Sequence, residues 1–252
     1  MLTFSTTQIT AFKTSMEVID SLVSDVNLEI SKTGIRVRET NRTNKLFISV
    51  NFDADNFDTF ECTEVINVGI ELALLVNILK PNLQYDNLTV VITDLKSLKL
   101  TLESFNRKEI KTVRLPLLAG LPNTSGSIEE SRYTHSVVLQ SDLLSKYCKD
   151  IARTSLRLKL KLNRKELVLS SEDDSIEYQI VGGNTGASAL TITTEERSKV
   201  YADKILTLKY ILLACKCSTI SELVTIFLDK GERPPTIRFN LGSLGVLNLI
   251  LF

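Results

Sequence analysis

A short helix followed by a run of strands recurs four times along this chain at a period of roughly 60 residues, and that recurrence restricts the fold more than any single motif does. The first copy predicts a strand at 2–6 and a helix from Gln8 to Leu22 with Ile9, Phe12, Met16, Ile19 and Val23 as its apolar stripe. Strands at 27–31, 35–39 and 46–52 follow. The second copy predicts a strand at 60–68, a helix from Glu71 to Lys80 stopped by Pro81, and strands near 87–93, 97–103 and 109–115. Segment 116–132 interrupts the pattern with Pro116, Gly120, Pro122, Asn123, Ser125, Gly126 and Ser127, a composition that suits a linker. The third copy runs from a strand at 133–139 through a helix over 141–153, capped by Ser141, to strands at 156–162, 165–171 and 175–180. The fourth takes a strand at 199–205, a helix over 207–217, and strands at 221–228, 235–241 and 246–251. Apolar and polar residues alternate in these strands, as in antiparallel sheets wet on one face. The expectation is therefore an α+β protein of two similar domains, 1–115 and 133–252, each made of two copies of one motif and joined by 116–132.

Charge is sorted locally although the whole is neutral, with thirty Lys and Arg against thirty Asp and Glu. In helix 141–153, Lys146, Lys149 and Arg153 share one face at i, i+3 and i+7, while Leu144, Tyr147, Cys148 and Ile151 hold the other. Helix 207–217 repeats the plan with Lys209 and Lys216 two turns apart, Leu208, Ile211, Leu212 and Cys215 available for burial, and Cys215 and Cys217 pointing to different sides. With no global field, attraction to a polyanion must come from these patches, and a sequence-independent contact with a phosphate backbone fits them best. Two predicted edge strands carry opposite charge. One has Arg107, Lys108, Lys111 and Arg114, the other Glu172, Asp173, Asp174 and Glu177. A head-to-tail contact between copies would cover both edges and close into a ring if the rotation allows.

Other functions find little material. His135 is the one histidine, so a histidine-dependent triad or a multi-histidine metal site is excluded, and His135 reads as structural. Gly182-Gly183-Asn184-Thr185-Gly186 lacks the Gly-Lys-Ser/Thr and the helix of a phosphate loop, and Glu172-Asp173-Asp174 reads as a turn rather than a cation site. No metal, cofactor or catalytic constellation is expected, so the chain reads as a non-enzyme. Four cysteines in apolar settings suit a reducing compartment, and no apolar run approaches the roughly 20 residues of a membrane span, so a soluble intracellular protein is expected.

Phe57-Asp58-Thr59-Phe60-Glu61-Cys62, then Gly69-Ile70-Glu71-Leu72 and Ile78-Leu79-Lys80, resemble the sliding clamps of the proliferating cell nuclear antigen family. Leu28-Glu29-Ile30-Ser31 with Gly34, Cys148-Lys149-Asp150-Ile151, Leu208-Lys209-Tyr210 and Leu244-Gly245-Val246-Leu247 extend the resemblance over the whole chain at nearly gap-free spacing. It implies a DNA clamp fold closing into a homotrimeric ring of six like domains, with helices lining a hole and sheets outside. Lys13, Lys80, Lys149, Lys209 and Lys216 stand at positions that meet duplex phosphates in the family, Lys146 at a basic site, and Arg153 where a histidine is usual. The resemblance further implies a front pocket for a short aromatic-bearing peptide at Phe47, Ile128, Pro234, Ile250 and Leu251, with Leu121 of the linker beside it. The candidate subunit interface is Lys108, Lys111 and Arg114 against Asp174, Glu177 and Tyr178.

What the resemblance implies is a processivity factor with no chemistry of its own. It would encircle double-stranded DNA and tether a polymerase, a clamp loader and other replication or repair proteins, in a nucleus or a viral replication compartment. Asp20 and Asn77 replace usual lysines and Glu17 shares the first helix's outward side, so the second domain is expected to carry most of the DNA contact. The sequence ends at Phe252 without the family's alanine-proline-lysine extension, which predicts altered peptide binding. A heteromeric checkpoint-type clamp and a clamp-derived scaffold that does not encircle DNA are the alternatives. The less basic first helix favours the second of these.

Overall fold

The computed structural model describes residues 1–23, 25–82, 84–118, 133–163, 165–181, 190–194 and 200–252. The chain divides into two compact units: Met1–Arg42, Ile48–Ser125 and Leu241–Leu247 in the first, Thr43–Phe47, Gly126–Asn240 and Asn248–Phe252 in the second.

The first half of the chain runs β1 (Leu2–Thr6), α1 (Ile9–Leu22), β2 (Asp25–Ser31), β3 (Gly34–Thr40), β4 (Leu46–Asp53), β5 (Thr59–Cys62), β6 (Ile66–Glu71), α2 (Leu72–Leu79), β7 (Asn87–Ile92), β8 (Ser97–Ser104) and β9 (Glu109–Pro116). The second half repeats this order as β10 (His135–Gln140), α3 (Ser141–Ile151), β11 (Arg157–Asn163), β12 (Glu166–Ser171), β13 (Glu177–Val181), β14 (Leu190–Thr194), β15 (Val200–Thr207), α4 (Leu208–Ala214), β16 (Leu223–Leu228), β17 (Thr236–Asn240) and β18 (Gly245–Leu251). Strand neighbours repeat as well. The order β5-β1-β7-β8-β9 has its counterpart in β14-β10-β16-β17-β18, and β4-β3-β2-β6 in β13-β12-β11-β15. Pairing is antiparallel throughout the registers, as with Leu2 opposite Ile92 and Val137 opposite Ile226. The α+β fold and its internal repeat are therefore as expected.

The two cores are built from different material. In the first unit, Phe4 of β1 meets Phe12 of α1, Phe57 and Phe60 at ring separations of 5.9, 4.8 and 6.2 Å. Each such side chain contributes roughly 1.5 to 3 kcal/mol on burial. α1 packs on α2, and Ile9, Phe12, Met16 and Ile19 are buried as the periodicity predicts. In the second unit α3 instead lays Leu144, Cys148 and Ile151 against α4 and the turn after it. Gly34, at φ +136°, opens β3 where a Cβ would lie 2.0 Å from the Phe52 carbonyl oxygen, so neither the dihedral nor the space admits a side chain.

Several local expectations are corrected. The single strand expected at 60–68 is two, β5 and β6, and β14 was not expected. The Gln140 position precedes α3 without a side-chain cap, and Ser141, the expected cap, lies inside the helix. Its hydroxyl donates to the carbonyls of Ser221 and Glu222 because the helix starts directly from β10. Helix 207–217 stops at Ala214, and Cys215–Thr219 tightens into a 3-10 turn packed on α3. That turn buries both Cys215 and Cys217, which were expected on different sides.

Candidate functional site

Segregation of apolar residues onto one face of α3 pushes its cations outward. Lys146 and Lys149 are exposed, opposite the buried Leu144, Cys148 and Ile151. Lys149 also sits in the last turn, where the helix dipole favours a cation. Arg153 lies two residues beyond the helix and its guanidinium reaches Asp150 at 3.4 Å. On α4, Lys209 is exposed above the buried Leu208 and Ile211, and Lys216 is exposed on the following 3-10 turn. Among the described residues no carboxylate pairs with Lys146, Lys149 or Lys209, so these three ammonium groups face solvent without a partner anion.

The same positions in the first unit are treated differently. Lys13 of α1 is half-buried and its Nζ lies 2.6 Å from Glu17 Oε2, with Asp20 one turn further on. α2 carries no charged residue, Asn77 is exposed on it, and Lys80 is exposed in the 3-10 turn Lys80–Asn82 that follows. The structure thus brings Lys146, Lys149, Lys209 and Lys216 onto the helical layer of one unit as expected cations, while Lys13 is already neutralised by its own helix.

β9 and β13 are edge strands. Among the described residues their strand partners are β8 and β12 alone. On β9, Lys111 and Arg114 are exposed, Lys111 donating to Asn82 Oδ1 at 3.0 Å, and Ile110 is exposed just before Lys111. Lys108 precedes the strand, in the β8–β9 turn at φ +51°. On β13, Glu177, Gln179 and Val181 point to solvent. Two of the interface candidates have partners within the chain. Asp174 lies in the β12–β13 turn at φ +55°, where its carboxylate accepts from Lys159 Nζ at 3.0 and 3.2 Å and from Ser170 Oγ at 3.1 Å. The Lys159 hydrogen bond is the main reason its carboxyl is held below the usual range. Tyr178 turns inward, its ring 4.2 Å from that of Tyr147 and its hydroxyl donating to Asp150, a bond that raises the phenol's pKa. Among the described residues Glu177 is left as the open carboxylate of that strand. Glu172 pairs with Arg157 at 3.0 Å and Asp173 accepts from Ser175, so residues 172–174 form a turn, as read from the sequence.

Of the peptide-pocket candidates, Phe47, Ile250 and Leu251 are buried and Pro234 is half-buried. Leu121 and Ile128 lie outside the described residues, as does the glycine loop 182–186. Tyr133, which sequence reasoning passed over, donates to the Pro234 carbonyl at 2.9 Å and meets Thr236 Oγ1 at 2.7 Å. An aromatic at the end of the linker was the available signal. His135 is buried on β10, in keeping with a structural role. Desolvation raises the thiols of Cys148, Cys215 and Cys217, the latter two to about 12. They are inert packing groups rather than nucleophiles. Among the described residues no cluster of ligating side chains could hold a metal ion, and no helix is long and apolar enough to cross a membrane.

The arrangement leaves exposed cations on α3 and α4 and two edge strands of unlike charge. Residues 1–119 match the family model described as the N-terminal domain of proliferating cell nuclear antigen. Over nearly its full length the chain is similar to the proliferating cell nuclear antigen of Dictyostelium discoideum, 24% identical with 97% of this chain and 95% of the relative covered. It is 23% identical to that of Chaetomium thermophilum, with coverage of 97% and 94%. A probable DNA polymerase sliding clamp of Paramecium bursaria Chlorella virus 1 is 20% identical, over 98% of this chain and 94% of the relative. The chain is thus similar to the proliferating cell nuclear antigen family, through its first 119 residues and through relatives matched over nearly its full length.

Proposed function

We propose that the protein is a sliding clamp, a homotrimeric ring that encircles duplex DNA and holds a DNA polymerase, and other proteins of replication and repair, on the template. The observation that carries this is the pair of helices α3 and α4, whose Lys146, Lys149 and Lys209 project from the layer opposite a repeated sheet and meet no carboxylate among the described residues. Such ammonium groups neutralise phosphates without reading bases, which permits movement along the duplex. Retention then comes from topology, and the protein contributes binding rather than chemistry.

Ring closure is supported by the repeat itself. β18 and β4 hold the places that β9 and β13 hold in the other copy. The ends of those two segments exchange backbone hydrogen bonds: Asp53 N–H to the Leu244 carbonyl within the first unit, and Phe252 N–H to the Lys45 carbonyl within the second, both at 3.1 Å. The equivalent strands β9 and β13 have open edges, one basic and one bearing Glu177, and would pair between copies in the same way. Lys108, Lys111 and Arg114 would then face Glu177, with Tyr178 backing the strand. The peptide site would be reached beside Pro234, with Phe47, Ile250 and Leu251 as its floor, and Leu121 and Ile128, which lie outside the described residues, stay candidates from the resemblance. Domain boundaries at 1–115 and 133–252, a nuclear or viral replication-site location, and a clamp loader that opens the ring belong to the same reading.

Retention on covalently closed circular DNA against the same DNA linearised tests it. A ring should remain on the circle through a high-salt wash and run off the linear form. Equal loss from both would leave a scaffold that binds proteins without encircling DNA, a reading that the Lys13–Glu17 pair on α1 favours.

A further inference from the structure

We infer that Phe105, at the tip of the β8–β9 turn, is an anchor between copies of this chain, seated against the start of α3 in the neighbouring copy. This rests on the reading of closed self-association and names one residue pairing within it.

The argument is a comparison of equivalent turns. Residues 105–108 join β8 to β9 and residues 241–244 join β17 to β18, so both hairpins turn over four residues, and Phe105 occupies the place of Leu241. The 241–244 turn belongs to the first unit, where it rests on α1. Ser243 Oγ donates to Gln8 Oε1 at 2.8 Å, a Cβ placed on Gly242 would be 3.0 Å from Ala11 Cβ, and Leu241 and Leu244 are 1% and 0% exposed. Phe105, by contrast, is 66% exposed. The turn that carries it is nevertheless well fixed: Phe105 N–H donates to Asp86 Oδ2 at 2.7 Å and an Arg107 guanidinium N–H to the Gln84 carbonyl at 3.3 Å. An aromatic held out on a fixed turn has nothing of its own chain to cover it among the described residues.

The equivalent seat lies on the second unit. α1 and α3 both follow a glutamine, Gln8 and Gln140, so Leu143 stands where Ala11 stands. Ala11 is buried beneath the 241–244 turn, whereas Leu143 is half-buried and Gln140 exposed. Asp142 and Glu222 are exposed beside that seat, and Ser141 N–H donates to the Glu222 carbonyl, which fixes the second against the first turn of α3. Their charge complements Arg107 and Lys108 on the incoming turn. One copy thus supplies an apolar knob with two cations, and the other an uncovered leucine with two carboxylates.

The experiment uses the full chain in two variants. Phe105→Ala should weaken self-association at least about tenfold in sedimentation equilibrium, the loss expected for one buried aromatic, with the far-ultraviolet circular dichroism of the single chain unchanged. The double variant Asn106→Cys/Leu143→Cys places thiols where the Gly242–Ala11 approach puts two Cβ atoms, close to disulfide range. It should form covalent dimers and trimers under oxidation, while neither single variant does. Wild-type assembly in Phe105→Ala together with no cross-link in the double variant would overturn the seat while leaving the ring intact. A wild-type chain that stays monomeric at every concentration would overturn the ring itself and the seat with it.

Discussion

The two units share one strand order and one helix order, yet they present opposite helical faces. α3 and α4 in the second unit hold Lys146, Lys149 and Lys209 clear of any carboxylate among the described residues, whereas α1 in the first ties Lys13 to Glu17 at 2.6 Å and α2 has no charge at all. The cores diverge too, aromatic around Phe4 in one and cysteine-bearing around α3 in the other. A duplicated fold therefore fixes where side chains can go and leaves open what they do. Backbone topology survives because burial demands only apolar residues of suitable size, while surface charge is free to drift or be selected.

The largest contrast between the units should be chemical. With the thiols of Cys215 and Cys217 raised to about 12 against an ordinary 9.0, their thiolate population at pH 8 falls by about a thousandfold, and that of Cys148, raised as well, falls in the same direction. Alkylation of Cys215 and Cys217 in the native chain should be slower by that factor than in urea, and that of Cys148 slower too. Their neutral burial stabilises the fold fully below pH 9 and is lost as pH rises towards 12, so thermal midpoints should decline over that interval. Rapid native alkylation of all three at pH 8, read by mass spectrometry, would show that the second unit's core opens readily.

Next in size is the DNA contact. Lys149→Glu/Lys209→Glu should weaken association with duplex DNA about a hundredfold at moderate salt and reduce the slope of log K against log salt by about two, with assembly unchanged. The reciprocal change, Asp20→Lys/Asn77→Lys, should steepen the slope by about the same amount. If both doubles left the slope unaltered, the difference between helix faces would have no bearing on DNA.

Edge charges come third. Lys111→Glu or Glu177→Lys should each weaken assembly about tenfold by sedimentation, and the two together should recover most of the loss. Asp174→Asn separates edge from turn. Because its carboxylate is held by Lys159 within the chain, the substitution should lower the thermal midpoint slightly and leave assembly alone. That contribution is complete above the ordinary value of 3.8 and fades as pH falls through the lowered one, so an acid titration of stability should flatten in the variant.

Those distinctions mark how far the sequence could be read. The repeat, the helix stripes and the edge charges were legible because period and polarity are local properties. The partner of Asp174 was not legible because Lys159 stands fifteen residues earlier on β11, opposite Ser170 in a register that no local pattern reveals. Cys215 and Cys217 were put on different sides because a helix was extended through a 3-10 turn that only packing on α3 specifies. Phe47, Ile250 and Leu251 came from resemblance alone, since a buried strand residue and a pocket floor look identical in sequence. Lys13 is instructive: its i+4 spacing to Glu17 was visible, and the two were counted as a cation and a nearby acid rather than as an ion pair.

The smallest effect tests that last point. Glu17→Gln removes the carboxylate 2.6 Å from Lys13 Nζ and keeps the shape of the side chain. An i,i+4 pair on a helix contributes about 0.3 to 0.5 kcal/mol, and with lysine preceding glutamate it is in the weaker orientation, so the cost to stability should be barely measurable. Freed of its partner, Lys13 becomes available to a phosphate. DNA affinity should rise about twofold to threefold and the salt slope by less than one, since Asp20 still faces the same side. Equal gains in Glu17→Gln and Glu17→Gln/Lys13→Gln would mean that relief of carboxylate repulsion, not release of the lysine, is what the first unit's helix withholds. A gain confined to the single variant would place the asymmetry of the two units in one ion pair.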